Sequence, residues 1–147
     1  HFRLGVCSVR TSMRIKDSLE EGVSHFYAEL GRLKSVVSAV NEGERVLFLL
    51  DEVLHGTNSR ERIIGAKVVV KHLLAKGAFG AVSSHDLGLV DLEAETGGHV
   101  SNVHLEELVE GEKMTFDYKL KPGPVATQNA LRLMKLIGIA VEIPELG

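Results

Sequence analysis

The sequence predicts an α/β chain, with parallel core strands, flanking helices and an antiparallel hairpin towards its C-terminal end. Three observations predict it. Val46-Leu47-Phe48-Leu49-Leu50 is apolar without alternation, the mark of a strand buried on both faces in a parallel sheet. Segments with helical spacing stand before and after it. Met114, Phe116, Tyr118 and Leu120 alternate with polar neighbours, as a strand with one wet face does. At 147 residues, 44% hydrophobic and 25% charged, the chain has the means for one domain around one core, expected over residues 1–140 with a tail over 141–147.

The elements follow in order. His1 to Val9 reads as a strand, continued by Met13 and Ile15 as one long strand or a bent pair. Opening on a strand predicts a fragment of a larger domain. Asp17 and Ser18 offer capping oxygens, and Val23, Phe26, Leu30, Leu33, Val37 and Val40 recur every three or four residues on one helix face. Asn41-Glu42-Gly43-Glu44 ends that helix. The central apolar strand stops at Asp51-Glu52. A polar loop, His55 to Ser59, supplies a cap at Asn58 or Ser59 for a helix from about Arg60 to Lys76, apolar at Ile63, Ala66, Val69, Val70, Leu73 and Leu74. Gly77 closes it in the left-handed region. Phe79 to Ser83 reads as a second buried strand, and Leu87 to Glu95 as a short helix ending at Gly97-Gly98. His99 to Leu105 and Met114 to Leu120 form the expected hairpin around Glu110-Gly111-Glu112. After Pro122-Gly123-Pro124, a final helix carries Ala126, Ala130, Leu133, Met134 and Ile137.

Composition excludes several functions. Seventeen Lys and Arg against 20 Asp and Glu leave a net charge of −3, which argues against a surface that grips nucleic acid through phosphates all over. Lys113, Lys119, Lys121, Arg132 and Lys135 read first as a solvated face. One cysteine, Cys7, allows no internal disulfide and no cysteine-based zinc site. His1, His55, His72, His99 and His104 are too scattered for a metal set. No apolar run reaches the roughly 20 residues that span a bilayer, and a cytoplasmic setting is expected.

Candidate chemistry concentrates at strand ends. Asp51 and Glu52 end the central strand, where open parallel sheets bind ligands. Such a pair suits nucleoside triphosphate hydrolysis, with one carboxylate on Mg²⁺ and the other activating water; the bland alternative is two solvated acids. His85 ends the neighbouring strand and could reach a terminal phosphate, or could simply cap or sit on the surface. Gly22-Val23-Ser24 at a helix start frees N–H groups for an anion, or is merely a cap.

Together these pieces resemble the back half of an ABC-type ATPase, specifically the DNA mismatch repair MutS family. Asp17-Ser18-Leu19, Gly22-Val23-Ser24-His25-Phe26 and Glu29 are similar to its signature. Asp51-Glu52 with Gly56-Thr57 matches its Walker B pattern, His85 its switch histidine, and Asn102-Val103-His104 a later segment. The resemblance implies a partial P-loop NTPase sandwich whose parent binds ATP and Mg²⁺ and contacts DNA through upstream domains. It implies Asp51 as the Mg²⁺ ligand, Glu52 as general base and His85 as γ-phosphate sensor. Gly22 and Ser24 would contact nucleotide held by a second copy, and Gly56, Thr57 and Asn58 would cross that homodimer interface. His25 replaces the usual Thr, Leu54-His55 a common Gly-Arg, and Asn58 a Ser, which suggests a divergent branch. No Gly-x-x-x-x-Gly-Lys-Ser/Thr is present, so the isolated chain is expected to be inactive. A non-catalytic dimerisation module is the alternative. The Leu-Ser-Gly-Gly signature of transporter and chromosome-maintenance motors is not matched.

Overall fold

The computed structural model describes residues 5–13, 25–110, 113–125 and 138–139. Two compact units are present, His1–His99 and Val100–Gly147. In the first, β1 (Ser8–Ser12), β2 (Val46–Asp51) and β3 (Phe79–Ser83) form a parallel sheet in the order β1-β2-β3. Helix α1 (His25–Asn41) connects towards β2, and α2 (Ser59–Ala75) links β2 to β3. The register pairs Leu49 with Thr11 on one side and Ala81 on the other, and places Asp51 beside Ser83.

Val46, Phe48 and Leu50 point to one face of β2 and are almost fully buried. They meet Leu33, Val36, Ala39 and Val40 of α1 and Ala66 and Leu73 of α2 in one core. The other face differs from expectation: Leu47 is half-buried and Leu49 is 36% exposed, so β2 is not covered equally on both sides among the described residues. The buried stripe of α1 is the expected one at Leu33 and Val40, with Phe26 and Val37 packed against the core, but it is wider. Val36 and Ala39 lie inside, whereas Leu30, expected on the apolar face, is exposed.

Both helices end in the same way. Gly43 (φ 86°) and Gly77 (φ 77°) take the left-handed conformation. Glu44 N donates to Ala39 O at 3.0 Å and Ala78 N to Leu73 O at 3.0 Å, bonds that cover carbonyls each helix would leave open. At the other end of α2, Asn58 Oδ1 accepts from Glu61 N at 3.0 Å, which settles the cap on Asn58. The stretch expected as one helix after β3 is a 3₁₀ turn, Leu87–Leu89, then α3 (Leu92–Glu95). Lys67 of α2 holds it by ion pairs to Asp91 (3.0 Å) and Glu95 (2.8 Å). No described helix is long and apolar enough to cross a membrane.

The second unit contains β4 (Val103–His104), β5 (Glu107–Glu110), β6 (Lys113–Phe116) and β7 (Lys121–Pro122). They pair antiparallel as β5 with β6 and β4 with β7. The expected single hairpin is thus two short pairs. Its second strand stops at Phe116 because Asp117 Oδ1 accepts from Lys119 N at 2.9 Å and Tyr118 turns to φ 53°, an Asx-type turn that alternation does not reveal. The pair β4–β7 closes with His104 Nδ1 at 2.8 Å from Gly123 O. The expected elements over 1–4, 14–24 and 126–137, with the turn residues Gly111 and Glu112, lie outside the described residues.

Candidate functional site

The carboxyl ends of β2 and β3 lie side by side and carry the expected acids and imidazole. Parallel pairing continues one step past the last register pair, with Glu52 N donating to Ser83 O at 3.1 Å. Ser83 Oγ donates to Asp51 Oδ1, which fixes the first carboxylate against the neighbouring strand. Glu52 is sheltered, its side chain 18% exposed, and His85 stands over it, 96% exposed, with Nε2 at 3.3 Å from Glu52 Oε1. The structure therefore brings Asp51, Glu52 and His85 to one edge.

The loop after the acids is not a free surface loop. Val53 and Leu54 turn back into the core. Glu52 (φ 53°) and Leu54 (φ 60°) both adopt left-handed backbone that costs a side-chain-bearing residue about 1–2 kcal/mol. Glu29 of α1 accepts a hydrogen bond from Leu54 N through Oε1. Gly56 lies against Phe26 of α1, so close that an added Cβ would stand 2.8 Å from that of Phe26. Helix α1 is thereby fastened to the loop that follows Glu52.

Thr57 and Asn58 sit at the start of α2. Thr57 Oγ1 donates to Glu61 Oε2 at 2.7 Å, and Asn58 is exposed apart from its capping bond. Gly22 and Ser24 lie outside the described residues. A shallow cleft of about 320 Å³ in the second unit, lined by Leu105, Glu106, Phe116 and Tyr118, holds none of these candidates.

Two residues of the site were not singled out by sequence reasoning. Arg62, one turn into α2, makes a two-pronged ion pair with Asp86, Nε to Oδ2 at 2.5 Å and Nη2 to Oδ1 at 2.9 Å. The Arg62 guanidinium holds the Asp86 carboxyl below the usual carboxylate range, helped by the nearby charges of His55 and His85. In return the Arg62 proton is held more tightly, chiefly by Asp86 and in smaller part by Glu52. This pair fixes the turn bearing His85 to the start of α2. Only its adjacency to His85 could have flagged Asp86, and Arg62 reads in sequence as one more polar position on a helix.

The arrangement offers a sheltered carboxylate that can take a proton, an anchored carboxylate for a hard cation, and an exposed imidazole. Among the described residues no group of three or more His, Cys, Asp or Glu side chains gathers as a ready-made metal cluster. The sequence is 32% identical to the DNA mismatch repair protein MutS of Aquifex pyrophilus over 139 residues, 94% of this chain and 16% of that protein. It is 29% identical to DNA mismatch repair protein MutS 2 of Haloarcula marismortui, covering 93% of this chain and 14% of the relative. It is 30% identical to the MutS protein of Lactobacillus acidophilus, covering 88% and 15%. The chain thus spans about a sixth of the length of these relatives. The profile of MutS domain V matches residues 3–145, nearly its whole length, and the chain belongs to that family.

Proposed function

We propose that this chain is the part of a MutS-type ATPase, a partial P-loop sandwich, that supplies the hydrolytic half of an ATP site. The observation that carries the proposal is Glu52, sheltered at the tip of the central strand with His85 at 3.3 Å, in a chain of the MutS domain V family. Asp51 fits the role of Mg²⁺ ligand. Magnesium keeps several waters and takes one or two carboxylates beside substrate phosphates, and Asp51 presents one carboxylate already steadied by Ser83. Bound Mg²⁺ would neutralise charge on the phosphates of ATP. Glu52 accepts a proton from the attacking water, and its strand-end backbone, tied to Ser83 O, holds it in place. His85 is open to solvent and senses the terminal phosphate. Arg62 and Asp86 keep the His85 turn in register with α2.

In this reading Gly22 and Ser24 close on the nucleotide of a second copy, and Gly56, Thr57 and Asn58 meet that copy across a homodimer. DNA is engaged by other parts of the full-length protein, consistent with the mismatch repair proteins it resembles. In the full-length protein, Glu52→Gln is expected to lower ATP turnover by at least about 100-fold, the scale of a lost general base, while ATP binding persists. Steady-state hydrolysis and nucleotide-binding assays check this. Unchanged turnover would assign the chain to a non-catalytic dimerisation module instead.

A further inference from the structure

Glu52 faces two imidazoles, not one. His55, three residues further along the loop, places Nδ1 at 3.5 Å from Glu52 Oε2, while His85 addresses Oε1. We propose that His55 is a positioning residue for the general base, steadying Oε2 while His85 meets Oε1, so that the carboxylate keeps the orientation in which it takes the proton from water. The proposal rests on the reading of Glu52 as that base.

The loop geometry makes His55 suited to this task. Its main chain has little freedom. Val53 and Leu54 are buried on one side of it, Leu54 N is bonded to Glu29, and Thr57 N donates to Leu54 O at 3.3 Å. A glutamate side chain has three torsions, and a carboxylate at a strand tip would otherwise sweep through several positions. Two contacts from two separate loops reduce that sweep, which is what a base needs to meet a water in line. An imidazole that carries its proton on Nδ1 can donate to the carboxylate, so Glu52 is held through Oε2. At 3.5 Å the contact is longer than a formed hydrogen bond, as catalytic contacts commonly are before ligand binding tightens them. Asp86, next to His85, and Arg62, which pairs with Asp86, carry opposite charges whose fields reach this cluster. Half-exposed His55 carries no core packing, so its removal leaves the fold standing.

The test uses the full-length protein. In His55→Ala, kcat is expected to fall about tenfold with KM for Mg·ATP within about twofold, since the loss is of orientation and not of nucleotide binding. His55→Asn places an amide N–H where Nδ1–H stood and should keep kcat within about threefold of the parent. Nitrogen-15 NMR of histidine-labelled protein, with His55 assigned by difference from His55→Ala, should show its neutral ring protonated on Nδ1. In Glu52→Ala the proton should move to Nε2. A His55→Ala enzyme with unchanged kcat, an Asn variant no better than Ala, or a ring protonated on Nε2 in both proteins would each overturn the inference. If Glu52→Gln stops turnover while His55→Ala does not slow it, the inference alone fails. If Glu52→Gln leaves turnover intact, the reading of the base fails and takes the inference with it.

Discussion

Leu54 shows how a single position can balance strain against burial. It carries a side chain at φ 60°, in the left-handed region that favours glycine. That left-handed backbone costs about 1–2 kcal/mol, but the side chain is 8% exposed and packs so tightly on α2 that a Cβ on Gly65 would come within 2.3 Å of its Cδ1. Leu54→Gly relieves the strain and deletes the packing, a loss of about 2–5 kcal/mol for a buried leucine. Net destabilisation of about 1–3 kcal/mol is therefore expected in chemical denaturation; a gain in stability would show that strain dominates. The Arg62–Asp86 pair gives a pH prediction. Arg62 depresses the Asp86 carboxyl, so the ionised form favours the folded state. That contribution is complete above the unfolded value of about 3.9 and disappears as pH falls through the lower folded value. Asp86→Asn should be less stable than the parent at pH 7 and nearly equal to it well below pH 4, as read from urea midpoints.

At the scale of elements, β2 and β3 were legible because apolar runs bounded by polar residues have few other solutions, and both strands end where the sequence places them; β3, expected to be buried, nevertheless has no buried residue, since it is covered less than β2. Helix α2 was equally plain, since Asn58 and Gly77 punctuate it. The site acids and His85 could be read because they directly follow those runs. What escaped was anything set by tertiary contact. The turn at Asp117 interrupts an alternating sequence through a side-chain bond. The exposure of Leu49 depends on what covers a sheet face and not on its own hydrophobicity. Arg62 and Asp86 are 24 residues apart and meet only because α2 packs against the 3₁₀ turn that follows β3. Sheet packing also makes a sharp prediction at Gly80, opposite Phe48 on β2. A Cβ there would sit 1.9 Å from Phe48 O and 2.6 Å from its ring. Gly80→Ala must push the strands apart, and a loss of about 2–3 kcal/mol is expected, the upper range for overpacking. Thermal unfolding checks it; a neutral outcome would mean that β3 shifts freely.

For the molecule as a whole, the phosphate-cradling loop is absent from the sequence, while the residues proposed to act on water are gathered at one sheet edge. The isolated chain should therefore show no ATP hydrolysis above background, measured with excess Mg·ATP; robust turnover would reveal a phosphate site of another kind. The bond between Glu29 and the Leu54 amide bears on how such a molecule would communicate. A carboxylate on α1 clasps the main chain two residues beyond Glu52, so displacing the helix must either drag that segment along or break the clasp. The Leu54 amide proton is then a tell-tale, its exchange with solvent slow while helix and loop travel together and fast once they part.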